Sequence, residues 1–389
     1  MATGQKTEKT VRQAGRIAGT AIFLLFLLAP TADRIFGLDP SPAPVEKRGL
    51  EQLPGQVHIS RFPQAFTAWL RDHFGFRNSL IRLHNRIKVR WLETSTVPTI
   101  AMGREKWLFL RQEQQVQDYR RRARLTEEEL ERWRRALVGR REWLAARGIR
   151  YLFTVSPDKA SIYPEMMPDW LRPAQGPSRI EQLMAWLEEK SDFRLHYPRE
   201  ALLARKGEGL LYFRTDSHWN HLGAYHAYRD LMQRVARLLP GKAPHPLEIY
   251  LPRESRHRGD LALGLGLENI GREPSRTLVL PEACRPGLRE GCEPPFSPRR
   301  PQAAVTLTDG PPGTKHRLLV FHDSFGEYLI LNLASHFAVA SFAGNPPKDP
   351  GWFRRYVDLA EHPKALGAKP DLVIEQRVER NLHDIPDWP

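Results

Sequence analysis

The chain has 389 residues, of which 41% are hydrophobic and 10% aromatic. This length and composition suffice for one large or two modest domains with a sizeable core, and they exclude global disorder. The formal net charge is +14, from 59 Lys and Arg against 45 Asp and Glu. A basic balance suits an anionic lipid surface or an anionic polymer, or it reflects arginines spread over helix faces. No recognised nucleic-acid module accompanies the charge, so nucleic acid is not an expected partner.

The N-terminus predicts export. A basic segment precedes an apolar run from Ile17 to Pro30, and its cations are Lys6, Lys9, Arg12 and Arg16. A positive leader before an apolar run is typical of a signal peptide or a signal anchor. A signal-peptide cleavage site needs small residues in an A-x-A-like arrangement. Residues 29–32, Ala-Pro-Thr-Ala, match this arrangement poorly because of the position of Pro30. We therefore predict that residues 1–38 form an uncleaved anchor with its positive end in the cytoplasm, with a cleaved signal as the alternative.

Two further segments follow the anchor. Residues 39–60 are predicted to be a stiff proline-rich spacer. Residues 61–389 are predicted to form one exported domain. It should begin with a helical region from Phe62 to Trp91, interrupted at 74–77, and a hairpin over 100–110. Capping boxes should start two later helices, at Thr126 with Glu129 and at Ser178 with Glu181.

Short apolar strands alternate with helices along the rest of the chain. They cover 149–156, 317–321, 337–342 and 371–375, with a helix over 221–239 and another over 325–335. This alternation predicts an α/β domain with a mainly parallel sheet. Ligands bind at the carboxyl ends of strands in such sheets, where 156–159, 322–324 and 376–380 are expected. Residues 240–313, rich in Pro, Gly and Arg, are predicted to be long and mostly irregular.

The two cysteines, Cys284 and Cys292, lie close together in a Gly- and Pro-rich stretch. In an exported domain a disulfide between them is the expected pairing. In a cytoplasmic domain they would be ordinary thiols.

The segment Thr215-Asp216-Ser217-His218-Trp219-Asn220 carries a carboxylate and an imidazole two residues apart. In an extended segment such positions face the same side, so Asp216 could accept the Nδ1–H of His218. An alternative is a divalent metal bound by Asp216, His218 and His221. Asn220 is expected to cap a helix that turns His221 away, so no metal and no other cofactor is predicted.

The missing nucleophile is best supplied by Ser324, within His322-Asp323-Ser324-Phe325-Gly326. A strand followed by Asp-Ser and a helix holds a hydroxyl at a sharp turn, where backbone N–H groups can form an oxyanion hole. Gly326 would allow close approach of a substrate carbonyl. Lys159 and Arg380, each after a strand, are candidate substrate contacts. The structural alternatives are that Ser324 only caps a helix and that Glu379 and Arg380 form a structural salt bridge.

Asp-x-His-Trp followed by a downstream Asp-Ser-Phe-Gly resembles the periplasmic alginate O-acetyltransferase family, whose domain is similar to SGNH (GDSL) hydrolases. Asp216 and His218 precede Ser324 here, as in that family's permuted order. His322 stands where the GDSL signature usually has glycine. Other similar segments span roughly residues 50–385: 72–77, 103–110, 157–159, 163–165, 259–261 and 379–382. No carbohydrate-binding module follows, so the chain looks closer to the membrane-anchored, single-domain type.

The resemblance implies a three-layer SGNH-hydrolase-like domain that transfers acetyl groups to hydroxyls of an exported polysaccharide, such as alginate or another exopolysaccharide. Ser324 would carry the acetyl group as an ester. A polytopic membrane O-acyltransferase would deliver the acetyl donor, alongside other polysaccharide-export proteins. The domain would lie in the periplasm, anchored to the inner membrane. Two alternatives stay open: an esterase or deacetylase with the same triad, and a non-catalytic scaffold of an export complex.

Overall fold

The computed structural model describes residues 2–40, 49–55, 58–171, 173, 175–267, 272–288, 305–345, 350–360 and 366–388. Side chains are described from residue 13 onward within these ranges, Val305 excepted. The chain divides into two compact units, residues 1–97 with 263–270 and residues 98–262 with 271–389. Among the described residues, every strand belongs to the larger unit. Much of the predicted spacer, at 41–48 and 56–57, lies outside the described residues.

The smaller unit is helical. Its helices are α1 (Ala2–Phe36), α2 (Phe62–Asp72) and α3 (Arg77–Trp91), so the predicted interruption between α2 and α3 is confirmed. Within α1, Gln13–Phe36 is long and apolar enough to cross a membrane, with a mean hydropathy of 1.6 and none of it buried. A helix of this length and composition at the N-terminus could anchor the protein.

The larger unit combines ten strands with nine helices among its described residues. The strands are β1 (Ile100–Met102), β2 (Leu108–Leu110), β3 (Arg150–Ser156), β4 (Leu251–Arg258), β5 (Arg272–Val279), β6 (Gly287–Leu288), β7 (Val305–Asp309), β8 (Arg317–His322), β9 (Val339–Gly344) and β10 (Leu372–Val378). The helices are α4 (Glu113–Tyr119), α5 (Glu127–Ala145), α6 (Lys159–Ile162), α7 (Arg179–Lys190), α8 (Arg199–Leu203), α9 (His221–Leu238), α10 (Asp260–Gly264), α11 (Ile330–Ala334) and α12 (Trp352–Ala360).

A six-stranded sheet with the order β3-β10-β8-β9-β7-β6 forms the centre of this unit. The pairs β3–β10, β10–β8 and β8–β9 are parallel, whereas the pairs β9–β7 and β7–β6 are antiparallel. The predicted mainly parallel sheet is therefore confirmed. The carboxyl ends of β3, β10 and β8 lie side by side and bring 156–158, 322–324 and 378–380 to one edge, as the sequence predicts.

Both faces of the sheet are covered, because successive side chains of a strand point to opposite faces. In β8, Leu318 and Val320 join one core, which includes the buried face of α9. Leu319 and Phe321 join the other core, which includes α5, α7 and α12. The result is the three-layer α/β arrangement expected from the sequence.

Local signals predict the starts of three helices, α5, α7 and α9. The capping boxes at Thr126 and Ser178 are both formed, and the Asn220 side chain accepts the Gly223 N–H at the start of α9. The predicted helix over 325–335 begins as a 3₁₀ turn, Gly326–Leu329, and becomes α-helical only in α11.

The prediction for residues 240–313 is wrong. This stretch contains the antiparallel pair of β4 and β5 and two strands of the central sheet, β6 at its edge and β7 beside it. The sequence of β4, Leu-Pro-Arg-Glu-Ser-Arg-His-Arg, does not predict a strand, because it is exposed along nearly its whole length. A strand with both faces exposed lacks the apolar alternation by which strands are recognised.

A buried ion pair holds β10 in place. Arg140 donates to Glu375 Oε2 at 2.5 Å, and the Tyr151 hydroxyl donates to the same atom at 2.7 Å. Burial by itself raises the pKa of Glu375, but Arg140 and Arg377 outweigh it and lower this pKa to about 2. The pair therefore stabilises the fold fully at pH values above 4.5, the ordinary pKa of a glutamate. This contribution is lost as the pH falls toward the lowered pKa of about 2.

We expect Arg140→Leu to lower the free energy of unfolding by about 3 kcal/mol, because it removes the fully buried cation and leaves the buried Glu375 carboxylate paired with Arg377 alone. Arg135 is an exposed arginine on the same helix, and Arg135→Leu should change stability by less than about 0.5 kcal/mol. Urea titrations at neutral pH measure both values. Equal effects of the two substitutions would contradict the assigned role of the pair.

Candidate active site

Ser324 lies in a tight turn at the carboxyl end of β8, and Asp323 holds this turn. The Asp323 carboxylate accepts the Phe325 N–H at 3.0 Å through Oδ1 and the Val378 N–H at 2.5 Å through Oδ2. Its own N–H donates to Gln376 Oε1 at 3.1 Å. The turn is thus joined to β10 as well as to β8, which limits the positions open to the Ser324 side chain.

Asp216 and His218 meet in a loop between Phe213 and α9. Asp216 Oδ1 accepts the backbone N–H of His218 at 2.9 Å and its ring Nδ1–H at 2.6 Å. The sequence predicts this proximity from an extended conformation, whereas the structure achieves it by a bend. A short Asp side chain often bonds the backbone two residues later in this way.

The imidazole of His218 also reaches the serine turn. Ser324 Oγ lies 2.8 Å from His218 Nε2 across 106 residues of sequence. With Nδ1 protonated, Nε2 is the acceptor for the Ser324 hydroxyl. Trp219 supports the approach of the two segments, since its buried indole donates to the Phe325 carbonyl at 3.2 Å. Ser324, His218 and Asp216 thus form one continuous chain of hydrogen bonds.

The Asp216 carboxylate accepts four hydrogen bonds in all. Besides His218, His257 Nε2 donates to Oδ2 at 2.7 Å and the Asp260 N–H donates to the same oxygen at 2.9 Å. Burial by itself raises the pKa of Asp216, but the hydrogen bonds from His218 and His257 outweigh it and hold this pKa below its ordinary value. Asp216 therefore stays ionised at neutral pH and can stabilise a positive charge on His218.

His257 is a site residue that the sequence did not reveal. It lies on β4, and its ring stacks on Phe213 with the centroids 3.7 Å apart. Asp260 belongs to the family-like segment 259–261, and the sequence predicts no contact for it. It accepts the Ser217 N–H and the Ser217 hydroxyl, each at 2.7 Å. No local pattern marks these contacts, because they depend on the hairpin folding over the loop.

Two residues of the hairpin region hold that loop. Glu273 on β5 accepts the backbone N–H groups of Arg214 and Thr215 at 2.8 and 2.9 Å. Gly259 lies directly against the Thr215 backbone, where a Cβ would overlap the carbonyl group. The backbone approach at this point therefore requires glycine.

Two backbone N–H groups, those of Gly326 and Ser324, are candidate donors to an oxyanion, and they differ in whether they already have an acceptor. The Gly326 N–H donates to the Asp323 carbonyl at 3.0 Å, so it is occupied within the turn. Among the described residues, the Ser324 N–H has no acceptor, and it lies on the nucleophile itself. Gly326 instead makes room for His322, whose side chain occupies the position that a Cβ on Gly326 would take. This packing accommodates a histidine where the GDSL signature has glycine.

Lys159 is buried behind the loop. Its ammonium group donates to the carbonyls of Phe213, Arg214 and Asp216 at 3.1, 3.2 and 2.5 Å. Burial lowers the pKa of Lys159 to about 7, and the carboxylates of Asp216 and Asp260 oppose the shift. With its three N–H groups directed at the loop, Lys159 fits a positioning role better than the predicted substrate contact.

We expect Lys159→Met to lower kcat by about 10- to 100-fold, because a small displacement of a catalytic group is that costly. KM should change little if the lysine positions the loop, whereas a substrate contact would raise KM instead. Lys206→Met removes a lysine that pairs with Glu165 away from the loop and should leave both constants near wild type. Steady-state kinetics with an acetyl ester separates these outcomes.

Arg380 lies beside the serine turn but is already paired. Its guanidinium donates to Asp158 at 2.6 Å and lies 5.1 Å from the centre of the Phe325 ring. Glu379 accepts the Asp158 N–H and the Ser161 hydroxyl, and burial raises its pKa to about 8. Arg380 thus forms a salt bridge with Asp158 rather than the alternative one with Glu379, and its contact with substrate stays a prediction.

Cys284, one residue of the predicted disulfide, is half-buried, and the other, Cys292, lies outside the described residues. Among the described residues, Asp216, His218 and Asp260 bring three metal-binding side chains together. The hydrogen bonds given above already use these atoms. His221, the third residue of the metal alternative, contacts Thr277 and Tyr328 instead.

Residues 100–286 match the family described as the SGNH hydrolase-like domain of acetyltransferase AlgX. This segment, just under half of the chain, resembles an AlgX-type SGNH hydrolase-like domain. Asp216, His218 and His257 lie inside the matched segment, whereas Ser324 follows it. The structure of Bacillus cereus PatB1 has the same fold, with 14% identity, a TM-score of 0.51, and coverage of 73% of this chain and 96% of that chain.

Two further relatives resemble the AlgX-type domain. A Pseudomonas fluorescens protein named "Probable alginate O-acetylase AlgJ" is 26% identical over 184 residues, which are 44% of this chain and 43% of the relative. The match thus spans less than half the length of that curated relative. The O-acetyltransferase domain of Pseudomonas putida AlgJ is 18% identical and covers 75% of this chain and 95% of that domain, with a TM-score of 0.47.

Proposed function

We propose that this protein is an O-acetyltransferase that moves acetyl groups onto hydroxyls of an exported polysaccharide. The observation that carries the proposal is the hydrogen-bonded series Ser324–His218–Asp216 at the carboxyl edge of the sheet. It occurs in a chain with an AlgX-type domain, whose relatives include proteins named as alginate O-acetylases. Alginate or another exopolysaccharide is the proposed acceptor.

In the first half-reaction, Ser324 Oγ attacks the carbonyl carbon of the donor's acetyl group while its proton passes to His218 Nε2. Asp216 stabilises the resulting imidazolium. The oxyanion of the tetrahedral intermediate can accept the free Ser324 N–H. Collapse breaks the bond to the donor, whose leaving atom takes the proton from His218. The product is an acetyl ester on Ser324.

In the second half-reaction, a sugar hydroxyl attacks the acetyl-serine carbonyl and gives its proton to His218 Nε2. Collapse releases the acetylated sugar and returns the proton to Ser324 Oγ. Water could attack in the same way, which would make the protein an esterase. The difference depends on whether a bound sugar excludes water from the site.

The cellular arrangement follows from the N-terminus. We place α1 across the inner membrane and the AlgX-type domain in the periplasm, because a basic segment precedes the apolar span. An acetyl donor would then have to cross the membrane to reach Ser324. A polytopic membrane O-acyltransferase is the proposed source, with other polysaccharide-export proteins nearby.

The proposal is tested with purified full-length protein and a chromogenic acetyl ester, with and without an oligosaccharide acceptor. Acetylated sugar formed only by protein that retains Ser324 supports transfer. Acetate release that is unaffected by acceptor supports an esterase. No turnover by a correctly folded protein supports a scaffold and overturns the proposed enzyme.

A further inference from the structure

Helix α2 exposes an apolar stripe. Phe62, Phe66 and Leu70 are 43%, 38% and 46% exposed. They are spaced four residues apart, so they fall within an arc of about 80° on an α-helix. Soluble domains rarely leave such a row of large apolar side chains in water without a use for it.

Helix α3 has a stripe of the same kind. Leu80, Leu83, Ile87 and Trp91 are 48%, 52%, 43% and 75% exposed. Their spacing of three and four residues again gives an arc of about 80°. These seven side chains of α2 and α3 are called the α2–α3 stripes below.

The polar residues of this helix pair are mainly basic. The segment 61–91 contains seven cations, Arg61, Arg71, Arg77, Arg82, Arg86, Lys88 and Arg90. Its one acidic residue, Asp72, is buried beside Arg77. Helices with Phe, Leu and Trp on one face and Lys or Arg on the other are typical of membrane interfaces, particularly those with anionic lipids.

The corner between α2 and α3 is attached to the end of α1. The Phe76 N–H donates to Asp33 Oδ2 at 2.7 Å, and Phe76 adopts a left-handed conformation to do so. Gly75 lies so close to the Pro30 backbone that a Cβ would overlap it. Ser79 at the start of α3 donates to Asp39 Oδ1 at 2.5 Å. These contacts lie within one compact unit of the chain.

The length of α1 sets the depth of this corner. The 24-residue span Gln13–Phe36 is about 36 Å long, against about 30 Å for the hydrocarbon core of a bilayer. Pro30 is six residues before the end of α1, or about 9 Å along its axis. The corner therefore lies near the level of the lipid headgroups when α1 spans the bilayer, within the 5–10 Å depth at which interfacial helices bury their apolar faces.

We propose that the α2–α3 stripes dock on the anionic lipid surface of the membrane that α1 spans, as a second, interfacial attachment of the protein. The proposal rests on the proposed anchoring by α1 and is independent of the acetyl-transfer reaction. A lipid occupant is favoured over a protein partner because the apolar stripes and the excess of basic residues occur together beside a spanning helix.

The test uses full-length protein in which Cys284 and Cys292 are replaced by serine, after its folding has been verified. Single cysteines at Phe66→Cys and Ile87→Cys carry an environment-sensitive fluorophore. Met184→Cys is the matched control, since Met184 is an exposed apolar residue of α7 with 40% exposure. Phe26→Cys reports on α1. The protein is reconstituted into vesicles of phosphatidylcholine with phosphatidylglycerol that contain nitroxide-labelled lipids.

We expect several-fold quenching at positions 66 and 87 by nitroxides near the headgroups, and weaker quenching in phosphatidylcholine alone. Position 26 should respond to nitroxides deep in the chains, and position 184 to neither. If position 26 is quenched while 66 and 87 behave like 184, α1 is inserted and the docking proposal is overturned. If 66 and 87 are shielded from both lipid nitroxides and aqueous iodide, a protein surface covers them, which also overturns it. Without quenching at 26, the anchor and the docking both fail.

Discussion

Ser324→Ala is expected to reduce acetyl transfer by about 10⁴-fold or more, because it removes the hydroxyl that lies against His218 Nε2 and would form the acetyl ester. The residual rate would come only from substrate binding and from stabilisation of the oxyanion by the backbone N–H of residue 324. The Ser324 hydroxyl is half-buried and bonds only His218 among the described residues. Its removal should therefore change the free energy of unfolding by less than about 1 kcal/mol.

The rate is measured as acetylated oligosaccharide formed, and intact-mass spectrometry reports whether one acetyl group remains on the protein. Ser255→Ala is the matched control, since Ser255 lies on the same strand as His257 but its hydroxyl contacts only the Ser275 carbonyl. It should be acetylated and active like wild type. An acetyl group that persists on the Ser324→Ala protein would assign the nucleophile to another residue.

Asp216→Asn is expected to lower kcat by about 10³- to 10⁴-fold while the protein stays folded. An amide cannot accept four hydrogen bonds as the carboxylate does, and it carries no charge to stabilise an imidazolium. Its NH₂ group would also favour the His218 tautomer with its proton on Nε2, which cannot accept from Ser324. His257→Phe keeps an aromatic ring against Phe213 but removes one of the four bonds, and it should have a smaller effect, about 10-fold.

Asp230→Asn makes the same substitution in another aspartate–histidine pair, because Asp230 lies 2.9 Å from His196 Nε2 outside the site. It should leave kcat within a few-fold of wild type. Comparable losses in Asp216→Asn and Asp230→Asn would show a general effect on folding and remove Asp216 from the proposed mechanism. The ordinary pKa of an aspartate is 3.8, and the pKa of Asp216 is held below that value. Protonation of Asp216 should therefore cause no loss of wild-type activity as the pH falls to 3.8.

The proposed membrane-docking helices and the hairpin beside the candidate active site both have exposed residues, but of opposite polarity. The α2–α3 stripes are apolar and exposed, and helical periodicity reveals them at once. The hairpin of β4 and β5 is polar and exposed, and its sequence lacks the apolar alternation that would predict a strand. His257 and Glu273 both belong to this hairpin. The sequence predicts residues 240–313 to be mostly irregular, so it does not predict the contacts that these two residues make with Asp216 and its loop.

The sequence by itself determined the features that depend on neighbours a few residues apart: the capping boxes at Thr126 and Ser178, the cap at Asn220, the buried strands, and the pairing of Asp216 with His218. These are short-range interactions, and their residue patterns are specific. The meeting of His218 with Ser324, the second donor His257, and the orientation of Lys159 toward the loop were decided only by the tertiary structure. They depend on which strand ends lie side by side and on how a hairpin packs over a loop, and this information is spread over side chains more than 40 residues apart.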